Sequence, residues 1–197
     1  MIGGHPTPAA ARGRGATMIE VLITIVILTF GLLGVVGLQA RMQLAQAESY
    51  HRSQAILLMQ DMVDRVSANR VNALNYVTAT PLGTGNALQD CTGLTGAALD
   101  LCEWNSALLG TTESTASGQS AGSMIGARGC ITNLVASMPR EFMVSVIWQG
   151  LVPTVAPSST NCGQGQYGND QMRRALVARV TIGCLQNDPT TGLCVTP

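Results

Sequence analysis

Arg12-Gly13-Arg14-Gly15-Ala16-Thr17-Met18-Ile19-Glu20-Val21 runs without a break into an apolar segment that reaches Leu38. A short basic leader ends in glycine, and residues 18–38 then carry a single charge, Glu20. At ~1.5 Å per residue this segment spans roughly 32 Å as a helix, which matches a bilayer core of ~30 Å. A carboxylate inside such a segment is costly, roughly 2.5–3.5 kcal/mol at the helix centre and less near the edge. A plain anchor would carry leucine there, so Glu20 calls for a reason.

Working outward, Arg12 and Arg14 precede the segment and no acid stands in the leader. The positive-inside rule therefore favours a cytoplasmic N-terminus. A secretory signal has an apolar core of ~7–15 residues with its cleavage site behind it. Here the apolar run is longer, and the small-residue junction Gly15/Ala16 lies in front of it. A cut at that junction would free an amine at Ala16 near the membrane edge. The Glu20 carboxylate of a neighbouring copy could neutralise that amine, and burial would penalise any misaligned partner. Such a pair would set axial register, as buried polar residues do in coiled coils.

These residues resemble the class III leader of type IV prepilins and pseudopilins. The resemblance implies cleavage after Gly15 by a prepilin peptidase, N-methylation of Ala16, and an assembly role for Glu20 at the fifth mature position. The family's first mature residue is most often phenylalanine, and Ala16 departs from that. Major pilins usually carry a proline about two-thirds along the apolar run, where this chain has Gly37. The string Gly31-Leu32-Leu33-Gly34-Val35-Val36-Gly37-Leu38-Gln39 is more similar to minor pilins of the PilV type.

All 11 basic residues are arginine, and they balance 11 acidic residues. Loss of residues 1–15 would leave 9 arginines against the 11 acids, so bulk charge points to no nucleic-acid partner. Six cysteines, Cys91, Cys102, Cys130, Cys162, Cys184 and Cys194, all follow the apolar segment. An even count in a translocated region reads as disulfides formed in an oxidising periplasm. Six cysteines allow 15 pairings. Spacing favours Cys91–Cys102 and Cys184–Cys194 as local loops, which leaves Cys130–Cys162. Zinc is the alternative, but there is no CxxC pair and the only histidine beyond the leader is His51. No metal or other cofactor is expected.

From Gln39 to Leu74 there is no proline or glycine, and good helix formers dominate. Leu38, Met42 and Ala45, then Ile56, Met59, Val63 and Val66, recur at spacings of three and four on one face. The chain thus divides into a leader over 1–15, one helix over 16–74 that spans the membrane to about 38, and a periplasmic or extracellular head over 75–197. In the head, 97–109 suits a short helix with Trp104 capping a small apolar cluster. Residues 110–129, rich in Gly, Ser, Thr and Ala, read as a flexible loop. Strand candidates are 130–135, 142–148 and 174–184. Phe142, Val144, Val146 and Trp148 share one face, and Leu176, Ala178, Val180, Ile182 and Cys184 form an apolar set facing the helix. Asp61, Asp64 and Arg65 read as a solvated helix face, and Tyr167, Asp170, Arg173 and Arg174 as a solvated polar loop. Pattern and resemblance agree on an α+β type IV pilin fold: a long N-terminal helix packed on a small antiparallel β-sheet, stapled by disulfides.

No GxSxG, phosphate-cradling glycine loop or paired nucleophile and histidine is present, so catalysis has nothing to stand on. The resemblance implies a minor pilin that helps to initiate a type IV pilus at or near its tip and supports twitching motility and adhesion. Implied partners are the prepilin peptidase, other minor and major pilins, the inner-membrane assembly platform and a tip adhesin. Implied location is a single pass of the inner membrane, with the head periplasmic, and then the fibre at the cell surface. The alternatives are a pseudopilin of a type II secretion system and a non-polymerising, single-pass periplasmic binding module.

Overall fold

Helix α1 (Met18–Ala68) runs for 51 residues with no proline to interrupt it. It belongs to a computed structural model that describes residues 15, 17–111, 124–191 and 194–196. The chain divides into two compact units, Met1–Ala45 and Gln46–Pro197. In the first, the described residues are essentially the opening part of α1. The second holds the rest of α1 and all the other elements.

The α-helix closes at Ala68 rather than reaching Leu74. Asn69, with φ −106° and ψ 51°, leaves helical geometry, and Arg70–Tyr76 continues as a 3₁₀ helix kinked at Asn72. The side chains of both asparagines are engaged within this turn. Here Asn72 Nδ2 donates to Asn69 Oδ1 at 2.9 Å, and Asn69 Nδ2 donates to the Tyr76 hydroxyl at 3.2 Å.

Four antiparallel strands follow in the order β1 (Leu82–Gly83), β2 (Arg128–Val135), β3 (Arg140–Gln149) and β4 (Arg173–Ile182). Ile131 pairs with Val144, and Val144 with Ala178, so apolar positions stack across the sheet. A separate pair, β5 (Gln186–Asn187) and β6 (Cys194–Thr196), closes the chain. Helix α2 (Ala97–Leu108) lies between β1 and β2 in sequence.

The main core joins Ala55, Met62 and Val66 of α1 to Trp104 and Leu108 of α2 and to Phe142, Val144, Val146 and Trp148 of β3. On α1, Met59 and Val63 pack at its edge, and the fully buried row is Ala55, Met62 and Val66. The expected apolar face is therefore rotated slightly from the one marked by Ile56. Trp104 sits at the centre of this core, fully buried, rather than capping a small cluster. Its indole Nε1 donates to Leu58 O at 2.9 Å. Gly129 makes room for it: a side chain there would overlap the Trp104 ring.

Strand β3 is covered on both faces. Its other side, at Ile147, meets Cys130, Cys162 and Tyr167 in a second apolar cluster. Of the expected flexible loop over 110–129, residues 112–123 lie outside the described ones. Its last part is core, because Met124 and Ala127 are buried. The cysteines pair as Cys91–Cys102, Cys130–Cys162 and Cys184–Cys194.

Candidate assembly surface and the head that carries it

Thr17 precedes the first turn of α1, and the Glu20 N–H donates to Thr17 O at 3.0 Å and to Thr17 Oγ1 at 3.4 Å. Thr17-Met18-Ile19-Glu20 has the spacing of a capping box, in which the glutamate would reach back to the backbone of the threonine. Only the threonine half forms. Among the described residues the Glu20 carboxylate accepts no hydrogen bond and makes no ion pair. Gly15 is exposed, and Ala16, named as the new N-terminus and its methylation site, lies outside the described residues.

Beyond Glu20, every large apolar side chain from Met18 to Leu44 is exposed, from 44% at Val26 to 91% at Met18. The exposure runs all round the helix rather than along one stripe. A helix apolar on every side belongs in lipid or in a protein core. The two hydroxyls within the segment do not break this surface. Thr24 Oγ1 donates to Val21 O at 2.8 Å and Thr29 Oγ1 to Val26 O at 2.7 Å, so both are satisfied within the helix. By length and composition α1 can cross a membrane once. A Cβ at Gly31, Gly34 or Gly37 would meet nothing within 4 Å, so these glycines answer to no contact inside the chain.

The unit 46–197 is fastened by arginines that the sequence reading placed in solvent. Arg65 donates to Asp61 at 3.1 Å, Asp100 at 2.9 Å and Glu103 at 2.6 Å, joining α1 to α2. Burial pushes its guanidinium down, but the bonds to Glu103, Asp61 and Asp100 outweigh that and leave its pKa raised. Asp61 and Arg65 thus belong to an inter-helix cluster rather than a free face. The Tyr76 hydroxyl also donates to Asp100, and burial followed by this bond raises its pKa.

Arg173 corrects the solvated-loop reading most clearly, being only 2% exposed. It donates to both Asp170 carboxylate oxygens, at 2.8 and 2.9 Å, and to the carbonyls of Pro157, Thr160 and Cys162 at 2.9, 2.8 and 3.2 Å. The bonds from Arg173 hold the Asp170 carboxyl below the usual carboxylate range. Tyr167 is buried too. Its hydroxyl donates to Gly126 O at 2.8 Å, and the Arg128 guanidinium lies 4.9 Å from its ring centroid. Burial raises the pKa of Tyr167, while Arg128 works against that rise. Asp170 and Arg173 stand three residues apart, which was the one signal in the sequence that could have marked the clamp. Glu48, which pairs with Arg174 at 2.6 Å, gave no signal at all.

Among the described residues no three His, Cys, Asp or Glu side chains gather as a metal site. The geometry offers a long exposed apolar surface, able by length and composition to cross a membrane, and a head stapled by three disulfides.

A family model described as Tt1218-like, Type IV pilin Tt1218, matches residues 37–104, about a third of the chain. Over those residues the chain is similar to type IV pilins. The match covers the second half of α1, the 3₁₀ turn and most of α2, and the long helix against a four-stranded antiparallel sheet with three disulfides is the pilin-like α+β fold. That family is structural rather than catalytic and works beside other pilins. No curated protein and no solved structure matches the chain.

Proposed function

We propose that this pilin-like chain is a minor pilin of the PilV type that enters a type IV pilus. In this reading residues 1–15 are a leader, 16–74 the N-terminal helical segment, whose α-helix ends at Ala68, and 75–197 the head. The prepilin peptidase cuts after Gly15 on the cytoplasmic face, and the new amine at Ala16 is methylated. Held by a single pass of the inner membrane with its head in the periplasm, the subunit moves from the assembly platform into the fibre. There it serves in the initiating or tip complex with other minor and major pilins and a tip adhesin, and so supports motility and adhesion. It does this without enzymatic activity.

One observation carries the proposal: among the described residues Glu20 has no partner, and it stands on the stretch of α1, residues 18–44, whose large apolar side chains are all exposed. An acid at a membrane edge with no partner among the described residues of its own chain is explained by a partner on another. A neighbour's terminal amine answers that need and fixes register as it does so. The processing step is checked by the intact mass of the membrane form. A chain that begins at Ala16 agrees with it, and one that retains Arg14 or begins after Leu38 overturns it.

The assembly step is checked with Glu20→Ala. Losing a carboxylate eases insertion, so the amount in the inner membrane should hold or rise. A neighbour's amine left buried and unpaired costs about 3–5 kcal/mol, so the amount in sheared fibres should fall. An unchanged ratio of fibre to membrane would sink the pairing role.

A further inference from the structure

A cleft of about 570 Å³ opens on the sheet face that β2 turns away from the main core. Cys130, Thr132 and Leu134 of β2 form one wall, and the segment 158–166 forms the other. That second wall is fixed rather than draped. The Cys130–Cys162 bridge ties it to β2, Ser145 Oγ donates to Thr160 Oγ1 at 3.3 Å, and buried Arg173 holds the carbonyls of Thr160 and Cys162. The volume lies within the ~300–1,000 Å³ typical of small-ligand sites, and a preformed wall lowers the ordering cost of binding.

Among the described residues the lining carries no Asp, Glu, Lys, Arg or His. It presents hydroxyls and amides: Thr80, Ser159, Asn161, Gln164 and Gln166 line it, and none of their side chains is engaged in a hydrogen bond among the described residues. Thr132 Oγ1, also on the lining, is buried without a partner. An unpaired buried hydroxyl is an uncommon liability in a folded domain. A charged ligand would find no counter-charge here, and an apolar one would strip water from amides and leave them unpaired. A neutral molecule dense in both donors and acceptors suits the lining, and Pro81, Leu134 and Met143 offer small apolar spots for C–H faces. We propose that the cleft binds a neutral carbohydrate, one or two sugar residues of a longer glycan. The inference does not depend on the polymerisation reading.

The test uses the full-length chain in detergent micelles on an array of immobilised oligosaccharides. Its arms are neutral extracellular-type glycans, oligomers of N-acetylglucosamine from cell-wall chemistry, and sialylated or sulfated glycans. Retention by members of either neutral arm is expected, and which arm retains the chain identifies the source. The double variant Asn161→Leu, Gln164→Leu changes exposed positions and should reduce retention on the order of tenfold or more. Thr132→Val should reduce it while the melting temperature holds or rises, because the substitution removes an unsatisfied buried hydroxyl. A purely structural threonine would not separate the two readouts in that way. Retention by charged glycans alone, by no glycan, or undiminished in the double variant overturns the proposal.

Discussion

Arg174 on β4 donates through Nε to Glu48 on α1 at 2.6 Å, although 126 positions separate them in the chain. The same carboxylate accepts the Leu151 N–H at 3.3 Å, and Arg174 also donates to Val152 O at 2.6 Å. One pair thus ties the last long strand and the loop before it to the helix. Arg174 is only 14% exposed and Glu48 31%, so this is not a freely solvated ion pair of negligible worth.

Glu48→Ala should destabilise the unit 46–197 by about 1–3 kcal/mol, because it strands a mostly buried guanidinium and a backbone donor. Glu48→Gln keeps one acceptor and should lose less. Urea unfolding of the full chain, followed through Trp104 and Trp148 fluorescence, measures both. A midpoint unchanged in Glu48→Ala would show that water replaces the carboxylate at no cost.

Gly129 and Trp104 make a second sharp case. The Trp104 ring occupies the space where a side chain at position 129 would lie, and Leu108 crowds the same spot at 2.8 Å. Gly129→Ala should therefore cost about 1–3 kcal/mol through overpacking, despite alanine's better intrinsic order. Trp104→Leu in the same chain should recover part of that loss, since the clash is between the two. If the two substitutions simply add, the space is not shared.

The disulfides should rank by the length of chain they close. Cys130–Cys162 spans 32 positions, whereas Cys91–Cys102 and Cys184–Cys194 span 11 and 10. In the chain-entropy model the long bridge contributes about 3.5–4 kcal/mol and each short one just under ~3 kcal/mol. Replacing Cys130 and Cys162 with serine should lower stability most, and it also frees the wall 158–166. Thermal unfolding of the three paired-serine variants gives the order. A larger loss from the terminal pair would mean that β5 and β6 support more than their own loop.

How much of this was legible in the sequence depends on how far apart the partners lie. The alternation at Phe142, Val144, Val146 and Trp148 is local, and it marked the buried face of β3. The edges of α2 and β4 were legible to within one or two residues for the same reason. The early end of the α-helix at Asn69 and Asn72 was not legible, because single asparagines in a run of good helix formers are a weak stop signal. Glu48 looked like one more polar helix residue, because nothing nearby reveals a partner on β4. Arg173 and Arg174 are neighbours with opposite fates, since successive strand residues point to opposite faces. One is sealed among carbonyls and the other reaches α1. Glu20 was legible only as an anomaly, because among the described residues its carboxylate meets no partner.

The Arg173 clamp predicts a specific response to acid. The folded Asp170 carboxyl lies below its ordinary value of 3.8, chiefly through the bonds from Arg173. A group depressed by folding contributes fully above its unfolded pKa, and the contribution disappears as pH falls through the folded one. The clamp should thus be at full strength at neutral pH and weaken only below about pH 4. Asp170→Asn removes the charge at every pH and leaves Arg173 one neutral acceptor at position 170 beside the backbone carbonyls. The variant should be less stable than the natural chain at pH 7, and the gap should narrow steadily as pH drops below about 4. Asp90 and Asp188 are also depressed, by hydrogen bonds in their own turns, but they act in both proteins and cancel in the difference. Melting curves of the two proteins from pH 7 down to about 2.5 provide the comparison. A gap that stays constant across that range would mean that the Asp170 charge does not hold Arg173, and that the carbonyls of Pro157, Thr160 and Cys162 suffice.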